Sequence, residues 1–184
     1  MKYFILILSF ILYLIFPVTA ISDDQIISKL QSGGNIVFIR HALAPGSGDP
    51  DNFDLKDCNT QRNLSDTGIE QSKKIGKFFT SNNIPIHMVL SSEWCRCKDT
   101  AKYAFNNFKI FSALNSFYDV KFYKNKKKQV KDLRKFISNW NSNKNLVLVT
   151  HYVVISEILN IGVSSGEMVI SNKSYKIIGS IDTM

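Results

Sequence analysis

The stretch that decides the fold is Asn35-Ile36-Val37-Phe38-Ile39-Arg40-His41-Ala42, a run of apolar, mostly β-branched residues that ends abruptly in an arginine and a histidine. Such a run reads as a buried strand with two polar side chains at its carboxyl end. In open α/β sheets ligands sit in the crevice just beyond the strand ends, so Arg40 and His41 stand where a substrate would be held. Taken singly, an Arg-His pair is an ordinary dipeptide: a strand-end arginine in solvent beside a hydrogen-bonded histidine. Its weight comes from recurrence.

The arrangement recurs twice. After Pro85, residues 86–90 read as a second strand that ends in Ser91-Ser92-Glu93-Trp94-Cys95-Arg96, and residues 146–149 form the most apolar strand, ending in Thr150-His151. Helical spacing fills the intervals. A short helix over 23–31 buries Ile26, Ile27 and Leu30 and stops at Gly33-Gly34; a second, capped by Ser65 or Asp66, buries Ile69, Ile75, Phe78 and Phe79. Further helices are predicted over 96–105, over 126–140, and through Ile155, Ile158 and Leu159 to Gly162. A third strand is expected over 110–114, and a closing hairpin over 167–171 and 176–181. Strand and helix in alternation imply an α/β fold with a mostly parallel sheet covered on both faces. Right-handed crossovers put the parallel strand ends on one side, so Arg40, His41, Ser91, Arg96 and His151 should converge.

At 184 residues the chain is long enough for one domain with a real core. Residues 1–20 stand apart: Lys2 gives a small positive start, residues 3–16 are almost wholly apolar, and Val18-Thr19-Ala20 offers a small-residue cleavage site, the pattern of a secretory signal peptide. Cleavage after Ala20 would leave a domain over 21–184 in a periplasmic or secreted setting. An uncleaved apolar segment acting as anchor is the competing reading, and the one case that would put the chain on a membrane. In an oxidising compartment Cys58, Cys95 and Cys97 imply one bridge, Cys58 to Cys95 or Cys97, and one leftover thiol. The cysteine spacing falls short of a four-ligand metal site. The net charge of +8 is concentrated over residues 121–135, which reads as a solvated helix face; no nucleic-acid motif accompanies it.

Two arginines and two histidines brought together suit an anion. Each guanidinium is a planar, permanently charged fork for phosphate oxygens, so a phosphate monoester fits best. A neutral imidazole is a competent nucleophile toward phosphorus once the oxygens that repel it are neutralised. Attack by His41 would give a phosphohistidine that water hydrolyses, with His151 hydrogen-bonded to the phosphoryl group.

Arg40-His41-Ala42 after the first strand, Ser91 through Arg96 to Thr100-Ala101 after the second, Thr150-His151 after the fourth, and Asn63-Leu64-Ser65-Asp66-Thr67-Gly68 with Gln71 together resemble the histidine phosphatase superfamily, in its phosphoglycerate mutase-like branch. The resemblance implies a three-layer α/β/α sandwich, His41 as the phosphorylated nucleophile, and Arg40, Arg96 and His151 as ligands of the phosphoryl group, with no cofactor and no metal. Together with the signal segment over 1–20, the motifs point to an exported phosphatase acting on a small phosphorylated substrate or a phosphorylated envelope component. The alternative is a catalytically weak or inactive phosphate-binding module of the same fold. Two positions depart from the family: Ala42 stands where glycine is usual, and Tyr152 where the acid-phosphatase branch has an aspartate. The mutase branch's glutamate is not matched in residues 114–119 either. The proton donor is therefore open among Asp119, Glu93 and Glu157. Arg62 is a candidate to reach the substrate from the long segment 42–63, and His87 carries no catalytic assignment.

Overall fold

The computed structural model describes residues 22–184, so the segment read as a signal peptide lies outside the described residues. Six strands form one sheet in the order β3-β2-β4-β1-β5-β6. β1 (Ile36–Arg40), β2 (Ile86–Ser91), β3 (Lys109–Ile110) and β4 (Asn145–Thr150) are parallel; β5 (Met168–Ser171) and β6 (Ile177–Ile181) add an antiparallel hairpin beside β1. The mostly parallel sheet expected from the sequence is thus closed on one side by two antiparallel strands.

Side chains of a strand point alternately to opposite faces, and each face carries its own core. Ile36, Phe38, Leu146 and Leu148 pack with α5 (Lys126–Asn139) and α6 (Tyr152–Leu159) through Leu133, Ile137, Val154, Ile155 and Ile158. Val37, Ile39, Val147 and Val149 pack on the other face with Ile26 and Leu30 of α1 (Asp23–Ser32), Ile75 and Phe79 of α2 (Asp66–Ser81), and Cys97 and Ala101 of α3 (Cys95–Phe105). Helices on both faces of one sheet make the three-layer sandwich. Because β1 and β4 are covered on both sides, every residue of β4 and the first four of β1 are buried, which is why they read as unbroken apolar runs.

Local signals set the helix starts. Ser22 caps α1 in a reciprocal box with Gln25, and Ser65 rather than Asp66 caps α2, its hydroxyl accepting from the Gly68 amide at 3.2 Å. The strand expected over 110–114 is cut short. After two residues of β3 the chain enters a 3-10 turn over Ser112–Leu114, and Ala113 and Leu114 reach the core from there rather than from the sheet. A four-residue helix, α4 (Val120–Tyr123), follows in a stretch too short to show any periodicity.

Candidate active site

The in-register pairing of β1 with β4 sets Arg40 opposite Thr150, so the next residue of each strand, His41 and His151, leaves the sheet at the same level. Their rings meet edge to face with centroids 5.5 Å apart. The neighbouring parallel strand, β2, ends in Ser91 and leads through Trp94 into α3, whose second residue is Arg96. His41, Arg96 and His151 are all buried, with 2–3 % of their surface exposed. With Arg40, Asp49, Arg62, Trp94, Tyr118, Asp119 and Tyr152 they line a cavity of about 200 Å³ beyond the strand ends. The structure therefore brings together all of Arg40, His41, Arg62, Arg96 and His151.

His41 is held at two points. Its amide donates to the Thr150 carbonyl at 2.9 Å, and its Nδ1 lies 2.9 Å from the Ala42 carbonyl. A carbonyl oxygen only accepts, so Nδ1 carries the proton and Nε2 keeps its lone pair while the ring is neutral. Burial, then the charge of Arg96 and more weakly of Arg62 and Arg40, pushes His41 well below its ordinary pKa despite the opposing bond to the Ala42 carbonyl. Behind the ring, Thr100 Oγ1 accepts from the Ala42 amide at 3.0 Å and donates to the Arg96 carbonyl at 2.7 Å, which ties the first motif to α3.

His151 is fixed at Nε2, which lies 2.9 Å from Ser92 Oγ and 3.5 Å from Cys97 Sγ, and Trp94 packs edge to face against it at 5.3 Å. Burial, followed by Arg96 and His41, pushes its pKa well down as well. Sequence reading does not single out Ser92, yet it is the hydroxyl that touches the second histidine; Ser91 turns to the Ser92 carbonyl instead.

The arginines are anchored by backbone carbonyls. Arg40 Nη1 donates to the Val163 carbonyl at 2.8 Å, Arg62 donates to the carbonyls of Gly48 and Ala44, and Arg96 donates to that of Arg62 at 3.3 Å. Among the described residues only three buried side-chain polar atoms have no hydrogen-bond partner, and two of them are the Nε atoms of Arg40 and Arg96. Buried donors are almost always satisfied, and two orphans on two cavity-lining guanidiniums leave charged N–H groups able to donate to an oxyanion. Neither α3 nor α6 has a side-chain cap from its N-cap residue, and both helices begin at this end of the sheet, where their dipoles favour negative charge.

Sequence reading missed one acidic residue here. Asp49, in the segment 42–63, meets Arg96 end-on, with Oδ1 2.7 Å from Nη1 and Oδ2 3.2 Å from Nη2, and also accepts from Trp94 Nε1 at 3.0 Å and the Arg62 amide at 3.1 Å. Burial raises its carboxyl pKa, but the Arg96 bond and charge, with the Arg62 amide and the Trp94 indole, outweigh that and hold it below the usual carboxylate value. No periodicity marks a loop aspartate; the flanking Gly46-Ser47-Gly48 turn was its single sequence cue.

Of the three proton-donor candidates, Asp119 alone lines the cavity, at the N-cap of α4 with Oδ1 accepting from the Lys121 amide. Glu93 accepts from Asn115 Nδ2 at 2.5 Å, and Glu157 is paired with Lys126 at 2.7 Å. His87 sits at the far end of β2, accepting from Trp140 Nε1 at 3.0 Å. Cys58 pairs with Cys95, their Cα atoms 5.7 Å apart, leaving Cys97 as the free, buried cysteine among the described residues.

No family model matches the chain, and no curated protein does. Solved structures do. The chain is similar to the protein histidine phosphatase SixA in complex with tungstate, at 12% identity and a TM-score of 0.57 over 81% of this chain and 97% of that one. It is equally similar to the phosphoglycerate mutase of Thermus thermophilus, at 13% identity and a TM-score of 0.57 over 80% of this chain and 98% of that one. In its fold, the chain is of the phosphoglycerate mutase-like type that both of these structures share.

Proposed function

We propose that the protein is a phosphatase that hydrolyses phosphomonoesters through a phosphohistidine on His41. The observation that carries this reading is a neutral imidazole with its Nε2 lone pair free, set beside buried Arg96 and half-buried Arg40, whose Nε–H donors are both enclosed and unpartnered. Supporting it, the SixA structure of the same fold is that of a protein histidine phosphatase holding tungstate, a tetrahedral oxyanion like phosphate.

In the first step the Nε2–phosphorus bond forms as the bond from phosphorus to the ester oxygen breaks, and the leaving alcohol takes a proton from Asp119 or solvent. In the second, a water oxygen attacks phosphorus, the N–P bond breaks, and His41 returns to neutrality as inorganic phosphate departs. Arg40, Arg96 and His151 hold the phosphoryl oxygens, and Arg62 contributes charge from the loop side. Stabilising charge on those oxygens supplies most of the barrier reduction in such reactions. A cavity of about 200 Å³ is smaller than the roughly 300–1,000 Å³ that encloses a drug-sized ligand, so the site takes a small phosphorylated compound or the phosphorylated end of an envelope component. The apolar N-terminal segment and the Cys58–Cys95 bridge support a periplasmic or secreted location. Among the described residues no helix is long and apolar enough to cross a membrane.

The test is release of phosphate from a generic aryl phosphate, with rapid quenching at neutral pH to trap the phosphohistidine. Activity and the trapped species should both vanish in His41→Ala. Saturable phosphate binding without turnover in the unmodified protein would instead identify a phosphate-binding module.

A further inference from the structure

Asp49 and Arg96 form the most enclosed ion pair among those of the described residues, with 4% of the arginine side chain and 11% of the aspartate side chain exposed. A guanidinium has five N–H donors in a fixed plane. The two that point off the end of Arg96 go to the two oxygens of Asp49, and a further Nη1–H reaches the Arg62 carbonyl. What is left is the Nε–H, which has no partner, and the outer hydrogen of Nη2. These two lie side by side on one edge of the plane, a second fork of the width that two oxygens of a phosphoryl group fill.

Asp49 is itself over-determined. Besides Arg96 it accepts from the Trp94 indole and the Arg62 amide, so each carboxylate oxygen takes two donors. The segment that carries it turns through Gly46 and Gly48, at φ +93° and +68°, conformations that L side chains rarely adopt. It is anchored again by the Arg62 side chain on the Gly48 carbonyl. A carboxylate fixed in this way fixes the arginine.

We propose that Asp49 is a positioning residue: by taking the Nη1–Nη2 end of Arg96 it holds the guanidinium with its Nε–Nη2 edge presented to the phosphoryl group. The inference rests on the phosphatase reading above, whose pocket it completes. It is the opposite of a carboxylate that competes with phosphate for Arg96, since a competitor would have to leave before the ligand could bind.

The two roles give opposite signs. Phosphate affinity by calorimetry and aryl phosphate kinetics would be measured on the wild type, Asp49→Asn, Arg96→Lys and the double variant. A positioning role predicts weaker phosphate binding in Asp49→Asn and a loss in kcat on the order of 100-fold, the scale of a misplaced catalytic contact. In the Arg96→Lys background the same change should alter the rate by less than about twofold, because partners acting through one contact are not additive. Tighter phosphate binding in Asp49→Asn, or an undiminished second effect in the double variant, overturns the proposal. Should Asp49→Asn fail to fold, the wild type suffices: on adding inorganic phosphate the Arg96 Nε–H resonance should shift and exchange more slowly while the Arg62 amide keeps its protection, and loss of that protection means Asp49 has been displaced. Hydrolysis that persists in His41→Ala removes the phosphatase reading and this inference with it; hydrolysis lost there but intact in Asp49→Asn removes this inference alone.

Discussion

His41 and His151 stand edge to face, 5.5 Å between ring centroids, because the strands before them pair in register through Arg40 and Thr150. Two imidazoles this close, both buried and both facing Arg96, cannot share the site as two cations. The neutral form that a nucleophile needs is thus the form the surroundings enforce.

That enforcement makes stability depend on pH in a definite window. Burial, then Arg96, lowers both histidines well below 6.5 in the folded chain. Below pH 6.5 the unfolded state therefore binds protons that the folded state refuses, and stability falls as pH falls. The slope is about 1.4 kcal/mol per pH unit for each histidine, starting near pH 6.5 and continuing down to the folded values. Asp49, also lowered, acts in the same direction but only below about pH 4, near the unfolded carboxylate value. Urea titrations at pH 7, 6 and 5 should show the decline, and His151→Gln should roughly halve it. A flat profile across that range would contradict the buried neutral pair.

The Cys58–Cys95 bridge spans 37 residues and ties the far end of the segment bearing Asp49 to the first residue of α3, one before Arg96. Closing a loop of that length restricts the unfolded chain by about 3–4 kcal/mol. Reduction, or Cys58→Ser, should lower the unfolding free energy by about 2–4 kcal/mol and raise KM for an aryl phosphate, because the bridge holds both ends of the Asp49–Arg96 contact. Cys97 should behave differently: buried, its thiol is pushed up to about 12, chiefly by desolvation. Mass spectrometry after iodoacetamide treatment at pH 8 should find Cys97 unmodified in the native chain and alkylated in urea.

What the sequence disclosed and what it hid divide along a physical line. Residues 36–39 and 145–150 are buried on both faces, so an unbroken apolar run ending in polar residues was sufficient to locate Arg40, His41 and His151, and the parallel topology then brought Arg96 beside them. The segment 42–63 has no such periodicity. Asp49 matters because of where two glycines turn the chain and because Trp94 and Arg62 meet it there, relations between distant loops that no local pattern encodes. Ser92 was missed for a similar reason: Ser91 and Ser92 are adjacent, and only the path of the chain leaving β2 decides which hydroxyl reaches His151.

Thr100 links the segment after β1 to α3 through one fully buried hydroxyl, between the Ala42 amide and the Arg96 carbonyl. Thr100→Val keeps the shape and removes both bonds. The Ala42 N–H is left without its partner in the interior, at a cost of about 1–3 kcal/mol. Because Ala42 also supplies the carbonyl that fixes the His41 tautomer, kcat should fall more than KM rises. Equal stability of Thr100→Val and wild type in urea would show that the hydroxyl is not the tie it is drawn to be.

Gly68 tests how closely the site leans on α2. A Cβ there would come within 2.1 Å of the Leu43 carbonyl oxygen, a backbone atom one residue beyond Ala42, and that same carbonyl accepts from the Ser65 amide at 3.1 Å. Leu43 is held from the other side as well, its amide donating to Gln71 Oε1 at 2.9 Å. Replacing a helical glycine by alanine ordinarily gains about 1 kcal/mol of helix propensity. Here the neighbour is backbone held from both sides, and overpacking costs of about 1–3 kcal/mol win. Gly68→Ala should therefore melt several degrees below wild type and lose activity as Ala42 and His41 shift. Gly76→Ala, whose Cβ would meet the Ala104 carbonyl at 2.2 Å where α2 crosses α3, should destabilise comparably yet leave KM and kcat of the surviving folded protein close to wild type. A Gly68→Ala protein as stable and active as wild type would mean that the start of α2 can move without carrying His41 with it.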